Sequence, residues 1–191
     1  MIKAEAEKLF QEAQGLNDGA WISHSYLVAR LAEVIADRVG MDAERAYVFG
    51  LLHDIGRRNG QMQARHAIEG YRYLESLGYH AQARICMTHT FQYQDADGIY
   101  DSWDCNDDEK QFVSDYLASI TYDDYDKLIQ LCDALSLNDA YCHAEQKMVQ
   151  SVMKFGFKES TLYKWKAILE LKEYFDKKIG SDVYLLFEEK C

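Results

Sequence analysis

Apolar residues recur at helical spacing along nearly all of this 191-residue chain, and a glycine stands where many of the runs stop. The pattern predicts helices over 2–14, closed near Gly15, over 21–39, ended by Gly40, and over 43–55, with Asp42 as N-cap and Gly56 as stop. Further helices are expected over 64–77, stopped at Gly78, and over 80–90, 107–119, 124–140, 143–154 and 160–179. The last segment, "DVYLLFEE", fits a helix or a strand, and no convincing strand alternation or hairpin signal occurs elsewhere. The period is lost over 91–106, "FQYQDADGIYDSWDCN", which reads as a long loop. The chain has no proline, where average usage would give roughly nine or ten. Proline is excluded from helix interiors, so its absence suits a mostly helical chain with short connections. An all-α fold is expected: one domain over 1–191, its motif core in 20–140 and its helices of 143–191 completing or extending that core.

Charge narrows the partners. Lys and Arg total 21 against 32 Asp and Glu, a formal charge of −11. Nucleic acid polymers bind through basic surfaces and are not expected here, whereas a small anionic ligand needs only a local cation or metal. Five cysteines form no CxxC pair, the N-terminal "MIKAEAEKLF" reads as an amphipathic helix rather than a signal peptide, and no apolar run approaches 18 residues. The expectation is a cytoplasmic protein with reduced thiols and no membrane partner. The C-terminal stripe of Leu162, Trp165, Leu169 and Phe175 reads as core or as a homo-oligomer contact.

The stretch Leu51–Gly60, "LLHDIGRRNG", runs two leucines into His53 and Asp54 just before a glycine. Adjacent polar side chains at such a place face water, cap something or hold something. His24 shares a helical stripe with Val28, Leu31 and Ile35, and Asp133 lies among leucines in "LIQLCDALSL", sharing a face with Ile129 and Leu137. A carboxylate there is costly to bury unless paired or metal-bound. Two imidazoles and two carboxylates suit a divalent transition metal such as iron, manganese or cobalt. His66 and His89, if they point inward, add ligands for a second ion bridged by Asp54; two ions clamp a phosphate and activate water. Arg57, Arg58 and Arg65 follow the His-Asp pair, and an arginine fork suits phosphate oxygens. His80 reads as a surface residue and His143 as structural. Tyr93, Tyr100 and Trp103 in the loop would pack locally or stack a nucleobase.

The order His24, His53-Asp54, Asp133 resembles the HD-domain superfamily of metal-dependent phosphohydrolases over roughly 20–140. His66 and His89 resemble its binuclear branch, which includes dinucleoside tetraphosphate hydrolases and cyclic-dinucleotide phosphodiesterases. The resemblance implies an all-helical bundle, one or two divalent ions (Fe, Mn, Co or Ni, with Mg also admitted), and hydrolysis of a small nucleotide-like or phosphorylated metabolite. It gives Asp54 the bridging, catalytic position and Arg57 the place where the family often has lysine. The Gly-Tyr-Pro tripeptide of the cyclic-di-GMP enzymes is absent, the segment reading "NGQMQARH", and a single His89-Thr90 replaces their paired histidines, so cyclic-di-GMP is a poor substrate. Two other readings use the same residues: a di-iron oxygenase on this scaffold, and a nucleotide-binding regulator without turnover.

Overall fold

The computed structural model describes residues 1–100 and 102–188, the side chain of Glu188 excepted. Among them are ten α-helices and two 3-10 turns. The helices are α1 (Lys3–Leu16), α2 (Ala20–Val39), α3 (Ala43–Leu52), α4 (Arg65–Ser76), α5 (His80–Thr88), α6 (Asp107–Ser119), α7 (Asp124–Ala134), α8 (Ala144–Phe155), α9 (Glu159–Ile179) and α10 (Leu185–Glu188). The 3-10 turns are Ile55–Asn59 and Ala96–Gly98. No strand occurs among the described residues; one isolated bridge joins Ser136 and Tyr141. The all-α expectation holds, and the last segment is helical.

The apolar stripes of α2, α3, α7 and α9 meet in the main core, where Val28, Ile35, Leu128, Ile129, Leu131 and Phe175 are fully buried. A second cluster fits Phe10 and Trp21 against Leu51 and Leu52, and a third, with Ile68, Met87, Phe91, Val113 and Leu117, underlies the long loop. Two glycines let backbones touch. A Cβ on Gly50 would stand 2.7 Å from Cα of Ala29, where α3 crosses α2. One on Gly56 would stand 2.0 Å from the carbonyl oxygen of His66. The start of α4 is thus drawn onto the turn that follows His53-Asp54, which is how a histidine twelve residues on reaches the same point.

Several expected boundaries shift. α3 begins as expected, Asp42 Oδ1 accepting from the Arg45 amide at 3.0 Å, but ends at Leu52. His53 is its C-cap and Asp54 leads the 3-10 turn. α7 stops at Ala134, not at 140: Ser136 Oγ donates back to the Cys132 carbonyl at 2.9 Å, and the Cys142 amide donates to the Leu135 carbonyl at 2.9 Å. Serine competing for a helix carbonyl favours termination. Leu137 therefore shares no helical face with Asp133. The C-terminal stripe also rotates. The buried positions of α9 are Thr161, Lys164, Ala167, Ile168, Leu171 and Phe175, while Leu162 and Leu169 are exposed. A lysine sits on the apolar line.

Candidate metal centre

His53 and Asp54 enter the interior because the helix carrying them stops there. Four imidazoles then meet Asp54. His53 donates from Nδ1 to the Gly50 carbonyl at 2.6 Å, His89 to the Cys86 carbonyl at 2.8 Å, His24 to the Leu137 carbonyl at 3.0 Å, and His66 to the Gln63 carbonyl. Each bond assigns the proton to Nδ1 and leaves a lone pair on Nε2. The four Nε2 atoms face inward. His66 Nε2 and His89 Nε2 lie 3.1 Å apart, and Asp54 Oδ1 stands 3.1 Å from the first and 3.5 Å from the second. With its proton given to a carbonyl, His66 Nε2 has none for Asp54; Oδ1 and His53 Nε2 are left buried without a hydrogen-bond partner.

Lone pairs and a carboxylate oxygen at this separation repel unless a proton or cation stands among them. Two donors about 2.1 Å from one ion and at right angles are about 3 Å apart, so the donor set fits a metal. Two triads have ligand atoms mutually within 4.8 Å: His24, His53 and Asp54, and Asp54, His66 and His89. Asp54 belongs to both. Asp133 joins through His24, its Oδ1 being 3.0 Å from His24 Nε2 and 3.0 Å from Lys147 Nζ.

Electrostatics keep the donors in ligand form. Burial pushes His53 down to about 3 and, with Arg57 beside it, lowers His66. Burial alone would raise Asp54, but the Arg57 guanidinium beside it outweighs burial and holds the carboxyl well below the usual range. Burial likewise opposes ionisation of Asp133, and the Lys147 ammonium overcomes it. Arg57 donates from Nε to Asp54 Oδ2 at 2.7 Å and from an Nη to the Met62 carbonyl at 2.7 Å.

The centre opens into a cleft of about 910 Å³ that Arg57, Trp21, Tyr100, Lys147, Lys154 and Lys164 help to line. Arg58 and Arg65 do not line it. Arg58 lies 4.0 Å over the Tyr73 ring, and Arg65 is paired with Glu69 and Glu109. The structure thus places these two expected phosphate contacts away from the cleft: adjacent positions in a 3-10 turn point in different directions, and Arg65 pairs with acidic neighbours. In the loop, Trp103 stacks on Phe91 and Tyr93 packs against Gly98, leaving Tyr100 as the aromatic residue of the three in the cleft wall. His80 is exposed and bonded to Glu75; His143 stacks on Tyr184.

Lys147 and Lys164 were not singled out by sequence. Lys147 had no local motif. Lys164 did carry a signal, since it shares the period of Ile168, Leu171 and Phe175 and a charge on such a line marks a special site.

An all-helical bundle whose connected helices bring histidines and aspartates to one buried point defines a class of helical metal-site proteins. Within it, a family model for the HD domain matches residues 21–138, and the chain belongs to the HD-domain family. None of the curated proteins or solved structures compared with the chain matches it. The family is one of metal-dependent hydrolases, and the His/Asp cluster here accords with that chemistry. No helix among the described residues is long and apolar enough to cross a membrane.

Proposed function

We propose that the protein is a phosphohydrolase that cleaves a phosphoester or phosphoanhydride of a small nucleotide-like or phosphorylated metabolite. The observation that carries this reading is the convergence of four Nδ1-protonated imidazoles on a buried, ionised Asp54, with His66 and His89 Nε2 lone pairs 3.1 Å apart. His24, His53, Asp54, His66, His89 and Asp133 would hold one or two divalent transition ions. Bound there, such ions supply hydroxide near neutral pH and polarise a phosphoryl oxygen. Asp54 orients the attacking water, since it belongs to both triads. Arg57 fixes Asp54 through Nε and sits in the cleft wall, where its guanidinium meets phosphate charge. The buried flank of the centre excludes bulk water; the cleft side admits substrate. The substrate is a small phosphorylated molecule, with no nucleic acid polymer or membrane as partner and the cytoplasm as the setting. The chain works as a single domain.

The test is metal content per chain by elemental mass spectrometry, run with phosphate release from a panel of esters and anhydrides. Wild type is expected to hold about two ions and His66→Ala/His89→Ala about one, with hydrolysis abolished in His53→Ala. No metal after reconstitution, or unchanged hydrolysis in His53→Ala, overturns the proposal. Two irons with oxygen uptake and no phosphate release would replace it by the di-iron oxygenase reading, and tight binding without turnover by a regulatory one.

A further inference from the structure

The cleft is lined by four basic side chains, and they differ in how far they are already committed. Arg57 is tied to Asp54 and the Met62 carbonyl. Lys147 gives Nζ–H bonds to Asp133 Oδ1, the Asp133 carbonyl and the Ser136 carbonyl, which uses its three donors. Lys154 lies over its neighbour Phe155. Lys164 is different. It is buried, 4% exposed, and its Nζ donates to the Thr90 carbonyl at 2.7 Å and the Gly98 carbonyl at 2.9 Å. Among the described residues no carboxylate lies within ion-pair distance of it. Two carbonyls use two of its three donors, and its ammonium lies 4.8 Å from the centre of the Tyr100 ring, which brings no net charge; the nearest acidic influence on it is Asp133, already bonded by Lys147. Lys164 also lines a smaller inner pocket of about 80 Å³ that shares Asp133, Thr90, Tyr100 and Lys147 with the cleft.

A buried ammonium with no counter-ion is costly, and such a group is retained where something brings the missing charge. Its ordinary value is 10.5; burial lowers it to about 7, which accords with a site lacking its anion. Lys164 lies on α9, beyond the residues that the family model matches.

We infer that Lys164 is an anion subsite, at which a second phosphate group of the substrate is held while another phosphate lies at the histidine centre. This rests on the phosphohydrolase reading and narrows it: the substrate carries at least two phosphates. The ammonium selects it by supplying the charge that one phosphate at the centre leaves unused.

The experiment measures affinity of the metal-loaded protein for orthophosphate, pyrophosphate and tripolyphosphate by calorimetry at matched free metal. Wild type is compared with Lys164→Gln, which keeps a donor for the Thr90 or Gly98 carbonyl but not the charge, with Lys164→Arg, and with Lys166→Gln. Lys166 is on the same helix, largely exposed and paired with Glu170, so its loss controls for net charge. Wild type and Lys166→Gln are expected to gain at least about tenfold from orthophosphate to the best longer anion, the scale of one charge-assisted contact. Lys164→Gln is expected to lose most of that gain, with orthophosphate affinity, metal content and melting temperature within about twofold or 2 °C of wild type, and Lys164→Arg to keep part of it. An equal gain in Lys164→Gln overturns the inference and leaves Lys164 as a clamp between α9 and the loop. A Lys164→Gln protein that melts far lower is judged on Lys164→Arg, where an unchanged or absent gain decides the same way. Orthophosphate binding that ignores His53→Ala overturns instead the phosphohydrolase reading itself.

Discussion

The two walls of the cleft are held by different means. On the histidine wall three of the four imidazoles have local partners: His53 bonds three residues back, His66 three back, His89 three and four back, while His24 reaches the Leu137 carbonyl 113 residues on. On the lysine wall they are distant: Lys147 reaches back 11 and 14 residues, and Lys164 reaches 66 and 74. The three imidazoles on local bonds are set by their own helix ends, and His24 joins them when α2 meets the residues after α7. A wall built on distant bonds exists only once the C-terminal helices have docked. The first suits chemistry, which tolerates little displacement; the second suits selection among substrates.

The strongest way to break the histidine wall is Asp54→Asn. It removes the donor shared by both triads, so phosphate release is expected to fall at least about 10³-fold and metal content to drop with it. Retained activity would mean that the two triads act without a bridge. Next is Gly56→Ala, which changes no ligand residue but drives a methyl group into the His66 carbonyl at 2.0 Å. A cost of about 3 kcal/mol or more is expected in chemical denaturation, because backbone rather than a flexible side chain must yield. Arg57→Gln should lower kcat/KM by roughly 10–100-fold, whereas Arg58→Gln and Arg65→Gln should change it less than about threefold, near the limit of a surface charge effect. Equal losses in all three would return Arg58 and Arg65 to the substrate.

The pH dependence of stability separates the walls without any substrate. His53 titrates near 6.5 when unfolded and at about 3 when folded. The unfolded chain thus binds more protons between those values, and metal-free stability falls as pH drops from about 6.5 toward 3. Lys164 moves from 10.5 down to about 7, so the unfolded chain again binds more protons and stability rises from pH 7 toward 10.5. Melting curves of the metal-free protein are expected to lose part of the acid slope in His53→Gln and part of the alkaline slope in Lys164→Met. If either variant flattens the other limb, the assignment of limbs to walls fails. The smallest effect expected is that of Lys154→Gln, a rim charge, on the same curves: within about 0.5 kcal/mol.

By itself the amino-acid sequence determined the helical class, most helix starts and stops, and the ligand candidates. Those rest on short-range physics: a 3.6-residue period, a capping aspartate at 42, and polar residues set where burial is costly. The family match over 21–138 agrees with that reading. The tertiary structure decided what depends on distant parts of the chain. It ended α7 at Ala134 through Ser136, turned Arg58 onto Tyr73, and set Arg65 between Glu69 and Glu109. It also showed that the buried line of α9 runs through Lys164 rather than Leu162. Two helical lines one or two residues apart have similar apolar content, and only the packing of α9 against α7 and the loop chooses between them. A side chain's neighbours across 70 residues are fixed by docking, and no local period records them.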